Sequence, residues 1–454
     1  MEGQPTAGDE SQSGNKNKQM SRSFADVVVG GQAGSEGKGA VVAHLMRTDD
    51  YAAAVRPGSS NAGHTVYADA LDTRNRLNPD NGRWREVVHQ VIPSAATVEP
   101  DTACYMAPES SFGLHELFEE HQDAADLWGD DPSLAVDPKA AVITDEHRHT
   151  EADRKLGEDI GSTVHGCGAV RVEKIWRSAG DVRLAADYNC MDRYLSAANT
   201  GSRRVHEALA EHGADGEQVI VEGTQGTLLS MNQSPHWPFS TSRDCTASAF
   251  LSSCGLPPTA ARRVWAVFRT YPIRVGGHSG PMDGDEIDFE TVAERAGHDE
   301  APVEFTSVTK KKRRIFEWSW EQFEFALRAN DPDLLALTFL DYLDADNYGA
   351  NSWWDLTEET REWVLGVDRR ARRYNGSTVA LLKTGPLPTH TVDLRTAANT
   401  TRPFGSPPWL AHDLESVDEW GRGGSFFEDR PVPGVNYARD GDDMVPKYVP
   451  EDGL

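Results

Sequence analysis

From Phe24 to about Arg395, short β-branched runs alternate with longer amphipathic stretches. Val27-Val28-Val29, Gln218-Val219-Ile220-Val221, Val264-Trp265-Ala266-Val267-Phe268 and Val379-Ala380-Leu381-Leu382 are near-continuous apolar segments of strand length. A strand that is apolar at successive positions is buried on both faces, the condition inside a parallel sheet covered by helices. Helical spacing with charged outer positions runs from Ser111 to His121 and from Asp192 to His212, and an amphipathic helix is predicted over Ala40 to Met46. The pattern predicts an α/β fold, a central mainly parallel sheet flanked by helices. Residues 1–22 are polar and without period, and are expected to be a disordered tail. Residues 23–395 form the predicted α/β domain. From about Thr396 to Leu454, Pro, Gly, Trp and acidic residues mix without period, which predicts an irregular extension.

Charge narrows the picture. The chain has 454 residues, with 11 Lys and 34 Arg against 72 Asp and Glu, a formal charge of −27. Nucleic-acid binding needs clustered cations, so no nucleic-acid partner is expected. No run of 18 apolar residues is present, so no membrane span is expected, and the N-terminus lacks the apolar core of a secretory signal. The five Cys have no paired spacing and read as reduced thiols in a cytoplasmic protein. With 12 Trp and 15 Phe available for a core, the acidity belongs to a surface, as in a protein adapted to concentrated salt or in an ordinary acidic enzyme.

The strongest local signal is Gly30-Gly31-Gln32-Ala33-Gly34-Ser35-Glu36-Gly37-Lys38-Gly39, between the first predicted strand and helix. Glycines let backbone N–H groups approach a phosphate, and the helix N-terminus favours negative charge. A Walker A loop would need Gly at Gln32 and Ser or Thr at Gly39. A second signal is Arg56-Pro57-Gly58-Ser59-Ser60-Asn61-Ala62-Gly63-His64-Thr65-Val66, following a predicted strand over Ala52 to Val55. A histidine there sits at the sheet's carboxyl edge, where ligands of open α/β folds bind. Asp145-Glu146-His147-Arg148-His149 reads as a solvated helix start rather than a metal site, and Phe316-Glu317-Trp318-Ser319-Trp320 reads as a half-buried strand or core.

These two motifs stand in one order with His89-Gln90-Val91-Ile92-Pro93-Ser94, Gly161-Ser162-Thr163, Glu222-Gly223-Thr224-Gln225-Gly226, Trp237-Pro238-Phe239-Ser240-Thr241-Ser242, Arg274-Val275-Gly276, Leu340-Asp341-Tyr342 and Thr384-Gly385-Pro386. In that order and rough spacing, residues 24–395 resemble the adenylosuccinate synthetase family. The resemblance implies a magnesium-dependent homodimeric ligase. A nucleoside triphosphate's γ-phosphate goes to O6 of a purine nucleotide, and the amine of L-aspartate then displaces it. It implies that Lys38 and the loop Gly34, Ser35, Glu36, Gly37 and Gly39 hold the transferring phosphoryl group, with Gly63, Thr65, Phe339, Asp341, Lys383 and Gly385 also on the triphosphate. His64 would be the catalytic acid at the departing bridge oxygen, and Gly63 with Ser35 would face the metal. Asn61, Ser162, Thr163, Gln225, Thr241 and Val275 would hold the purine nucleotide, and Arg177 would reach its phosphate across the dimer interface. Thr309, Lys311 and Arg313 would hold aspartate.

Three departures from the family pattern refine the expectation. Ser35 stands where the family carries a catalytic Asp that takes the purine N1 proton. A neutral hydroxyl is no general base near pH 7, but it leaves room for, and accepts a hydrogen bond from, a 2-amino group. That points to guanine and resembles the viral branch of the family, which joins dGMP to aspartate on the way to 2-aminoadenine DNA. The route of the N1 proton stays open among Glu36, bound water and direct loss. Phe339 and Lys383 replace other side chains near the triphosphate base, and a Phe stacks on any base while Asp341 favours guanine. ATP or dATP is expected, with GTP also possible. Lys311 replaces an arginine and lacks its bidentate fork. The alternatives are an ordinary synthetase acting on IMP and a catalytically silent nucleotide-binding regulator.

Overall fold

The computed structural model describes residues 23–69, 84–177, 182–196, 204–306, 311–396, 437–440 and 443–446. Its centre is a nine-stranded sheet. Across the sheet the strands are Thr391–Asp393, Thr378–Lys383, Leu334–Thr338, Ala261–Arg269, Ala25–Gly30, Gln218–Glu222, Tyr51–Arg56, Ala103–Met106 and Leu134–Val136. Every neighbouring pair is parallel except Thr378–Lys383 with Thr391–Asp393. The four apolar runs read from the sequence are all strands of this sheet.

Period-two alternation divides the core between the two faces. Val27, Val29, Ala266 and Phe268 join one apolar cluster, while Val28, Trp265 and Val267 join the other. All seven are fully buried, so both faces of the sheet's centre are apolar core. Because the strands are parallel, the chain leaves the sheet at one edge after Gly30, Arg56, Glu222, Arg269 and Thr338, and the site is built there. Close packing dictates one of the glycines at this edge: a Cβ on Gly31 would lie 2.1 Å from the Phe268 ring.

Several predicted elements are corrected. Ser111–Phe112 pairs with Ala141–Val142, so the helix begins at Leu114 and extends to Trp128. The single helical stretch predicted over Asp192 to His212 is two helices, Asp192–Ser196 and Val205–Asp215, and the intervening sequence includes the turn-favouring Asn199-Thr200-Gly201-Ser202. Residue 145 does start a helix, Asp145–Asp153, but His147 is buried and its Nε2 contacts Glu173 at 2.8 Å. The Trp-rich stretch divides into strand Arg314–Phe316 and helix Trp320–Asn330, which Ser319 caps through the Gln322 N–H, and Trp318 packs edge-on against Trp363. Within the extension expected to be irregular, Tyr437–Asp440 pairs antiparallel with Asp443–Pro446. The predicted N-terminal tail lies outside the described residues. Among the described residues no helix is long and apolar enough to cross a membrane.

Candidate active site

The glycine loop is shaped by its own acid. Strand Ala25–Gly30 ends, and helix Lys38–Thr48 begins after Gly37, whose φ of 84° is left-handed. Between them the Glu36 carboxylate, fully buried, accepts from Gln32 N–H at 3.1 Å, Gly34 N–H at 2.8 Å and Lys38 Nζ at 2.6 Å. Thr338 Oγ1 donates to the Glu36 carbonyl at 2.7 Å and ties the loop to the sheet. Glu36 therefore faces inward, which removes it as a base for a bound purine. Ser35 is exposed at the crest, with φ 57°, and no acidic residue stands in the helix's first turn. The loop offers an anion a helix N-terminus, the Lys38 ammonium and no opposing carboxylate on its crest.

This loop, with Asn61, Gly63, His64 and Thr65, walls a cavity of about 580 Å³. Ser162, Thr163, Gln225, Thr241 and Val275 line it from other segments, and Arg313 and Phe339 close a further side. Sixteen of the predicted residues thus converge although they come from across the chain: Gly34, Ser35, Gly37, Lys38 and Gly39 of the loop with the eleven just named. Asp341, Lys383 and Gly385 do not line this cavity. Asp341 and Lys383 are buried, the carboxyl pushed up to about 6 and the ammonium down to about 7, each chiefly by burial. Lys383 Nζ is held by the Leu387 carbonyl and Thr391 Oγ1 at 2.7 and 2.8 Å. Arg177 ends helix Cys167–Trp176 and is exposed beside Trp176 and Ile175, away from the cavity of its own chain. Lys311 is exposed and does not line the cavity, and Thr309 lies outside the described residues.

Behind His64 stands a buried carboxylate, Glu222, to which the sequence motifs alone give no role. Glu222, fully buried at the end of its strand, meets His64 Nδ1 at 2.5 Å, Arg56 Nη1 at 3.1 Å, Ser94 Oγ at 2.6 Å and Ser94 N–H at 2.7 Å. These donors hold the Glu222 carboxyl far below the usual carboxylate range despite its burial. Glu222, nearer to Nδ1 than the Arg56 Nη1 that lies 3.0 Å from it, draws the proton there, so the neutral imidazole presents a lone pair at Nε2 and only the imidazolium donates from it. Burial, with Arg56 nearby, pushes His64 down to about 4, against the opposing pull of Glu222. Nε2 has no partner among the described residues. An anion in the cavity would favour the imidazolium.

On the opposite wall, Glu304 is gripped by Arg269 and accepts from Tyr342 OH at 3.1 Å, while Arg313 Nη1 lies 3.8 Å from it. Neither Arg269 nor Glu304 was singled out from the sequence, because their contact depends on tertiary structure. Ser35 and Gly63 line the cavity and carry only hard, uncharged oxygens, and among the described residues no group of three His, Cys, Asp or Glu could hold a metal. That donor set fits a magnesium ion bound mainly through phosphate oxygens and water, the usual habit of this ion in phosphoryl-transfer sites.

The chain is similar to known proteins over most of its length. The sequence model of the adenylosuccinate synthetase family matches residues 27–200 and 180–348. The chain is 34% identical to adenylosuccinate synthetase of Thermococcus sibiricus over 376 residues, covering 81% of this chain and 98% of that one. Against the Methanococcus aeolicus enzyme it is 32% identical over 371 residues, covering 81% and 99%. Among solved structures, the cyanophage S-2L succinoaminodeoxyadenylate synthetase (PurZ), bound to dGMP and to dATP as an energy donor, matches with a TM-score of 0.64 and 28% identity over 83% of this chain and 97% of that one. Fully ligated adenylosuccinate synthetase from Plasmodium falciparum shares the fold, with a TM-score of 0.65 at 17% identity over 81% of this chain and 99% of that one. With the family model matching most of its length and nearly the whole length of these relatives covered, the chain belongs to the adenylosuccinate synthetase family of carbon–nitrogen ligases.

Proposed function

We propose that the enzyme joins L-aspartate to C6 of dGMP at the expense of ATP or dATP, giving N6-succino-2-amino-2'-deoxyadenylate, a precursor of 2-aminoadenine DNA. The carrying observation is Ser35, a small neutral side chain exposed on the cavity wall where the family pattern has a charged one. A 2-amino group beside purine N1 would crowd an aspartate, whereas the serine hydroxyl leaves space and accepts its hydrogen bond. The phage enzyme bound to dGMP supports the same substrate.

The residues divide the work as follows. The loop amides and Lys38 hold the γ-phosphoryl group while guanine N1 gives its proton to bound water, O6 attacks phosphorus and the bridge oxygen departs with the nucleoside diphosphate. His64, charged by the bound phosphates and backed by Glu222, donates from Nε2 to the oxygen on which charge develops. The free amine of aspartate, its carboxylate on Arg313, then bonds to C6, the C6–O bond breaks and phosphate leaves. Magnesium, when bound, neutralises triphosphate charge, and Ser35 and Gly63 would be its protein ligands. Asn61, Ser162, Thr163, Gln225, Thr241 and Val275 orient the purine nucleotide. We place Arg177 of a second copy on the nucleotide phosphate, with the exposed Val172, Ile175 and Trp176 covered in the same homodimer.

The test is phosphate release with aspartate, magnesium and ATP, offering dGMP, GMP and IMP separately and weighing the product by mass spectrometry. A succinylated dGMP product supports the proposal. Turnover of IMP alone would assign the ordinary reaction, which the archaeal relatives' names favour. Silence with all three, in folded protein, would leave a nucleotide-binding regulator.

A further inference from the structure

Arg269 ends the central strand Ala261–Arg269, next to the strand that feeds the glycine loop, and its side chain is fully buried. Its backbone N–H and carbonyl each bond the Gln32 side-chain amide at 3.0 Å, so strand and loop root move as one piece. Nη1 donates to the Ser35 carbonyl at 3.3 Å and to Glu304 Oε2 at 3.2 Å, and Nη2 donates to Glu304 Oε1. The guanidinium carbon stacks 3.9 Å from the centre of the Phe339 ring. Ser35 and Phe339 have φ of 57° and 60°, the left-handed region that side-chain-bearing residues keep only when their surroundings hold them there. On its other side Glu304 lies 3.8 Å from Arg313, a guanidinium of the cavity wall. One buried cation therefore touches the loop crest and an aromatic wall directly, and Arg313 through a single shared carboxylate.

We propose that Arg269 is a positioning residue that couples the two sides of the cavity, holding Ser35 and Phe339 for the triphosphate while its grip on Glu304 sets how freely Arg313 receives the aspartate carboxylate. A carboxylate arriving at Arg313 releases Glu304 from that guanidinium and leaves it to Arg269 and Tyr342 alone. The stronger Arg269–Glu304 pairing then draws on the same fork that holds the Ser35 carbonyl. Lysine in this place keeps the charge but has no planar fork, so it serves one partner at a time. The inference rests on the assignment of aspartate to Arg313 and of triphosphate to the loop and Phe339.

The test reads binding, so that it does not depend on which purine is ligated. Calorimetry on the full chain measures Kd for a non-hydrolysable ATP analogue with and without saturating L-aspartate, with dGMP or IMP present, whichever binds. Aspartate is expected to change the analogue's Kd by roughly fivefold or more in the wild type. Arg269→Lys and Glu304→Gln are each expected to bring that ratio to near one, and melting curves are recorded for both. Glu304→Gln keeps the buried guanidinium and an oxygen acceptor, so it reports on coupling if Arg269→Lys fails to fold. No coupling in the wild type, or an unchanged ratio in a folded variant, overturns the proposal. Coupling in a protein that binds but does not ligate dGMP would instead defeat the substrate assignment and leave the role of Arg269 standing.

Discussion

Replacing Glu222 with Gln isolates what holds His64, the proposed acid, in place. The carboxylate receives His64 Nδ1, Arg56 Nη1 and Ser94 Oγ on one oxygen and the Ser94 N–H on the other, with no water access. A glutamine offers one oxygen and one NH₂, so in either orientation a donor meets a donor. Arg56, 1% exposed, loses its counter-charge. Breaking a buried pair of this kind costs about 3–5 kcal/mol, within the 5–15 kcal/mol typical of a folded domain, so a destabilised but folded protein is expected. The effect on catalysis is separate. Imidazolium and carboxylate charges about 4 Å apart, at an effective dielectric constant of 20, attract by about 4 kcal/mol. That is about three units of His64 pKa. The charged acid then becomes up to roughly a thousandfold scarcer at pH 7, and kcat is expected to fall by 10²–10³ with partial recovery on acidification. The assay is a pH profile of kcat in the wild type, Glu222→Gln and the charge-preserving Glu222→Asp. A folded Glu222→Gln enzyme with wild-type kcat and an unmoved profile would refute the role given to Glu222.

Three further outcomes follow from the same structure. His64 titrates at about 4 in the folded chain and near 6.5 unfolded, so between these values only the unfolded state takes up the proton. Stability should therefore fall by up to about 3 kcal/mol as pH drops from 6.5 to 4, with the buried His121 and the half-buried His165, His236 and His390 adding to the loss. Denaturant titrations should show a shallower slope in His64→Asn. Lys38→Met removes the loop cation and strands the fully buried Glu36. It should lower kcat by roughly 10²–10³ and stability by about 3–5 kcal/mol, read by turnover and unfolding. With a formal charge of −27, the unfolding midpoint should rise from low to molar KCl as salt screens self-repulsion, and a flat response would count against a salt-adapted surface.

The sheet was legible where burial on both faces leaves a run such as Val27-Val28-Val29 with no polar position. The two-residue strand Ser111–Phe112 was not, since its pairing with Ala141–Val142 leaves no local period. The glycine loop announced itself because phosphate approach needs a compact, nearly side-chain-free segment. The direction of Glu36 did not, because inward rotation toward Gln32, Gly34 and Lys38 is decided by the folded loop. Glu222 was visible only as an acid at the end of an apolar strand. Its link to His64, 158 residues away, exists only once parallel strands bring their carboxyl ends together. That position was the available clue, since a carboxylate there is seldom buried without a partner.

The most direct measurement is the ratio of kcat/KM for dGMP to that for IMP, taken in parallel for the wild type and Ser35→Asp. If the side chain at 35 selects the purine, the wild type turns over dGMP and not IMP, and Ser35→Asp shifts the ratio toward IMP. A wild type that prefers IMP, or a ratio indifferent to the substitution in an active enzyme, contradicts the assignment.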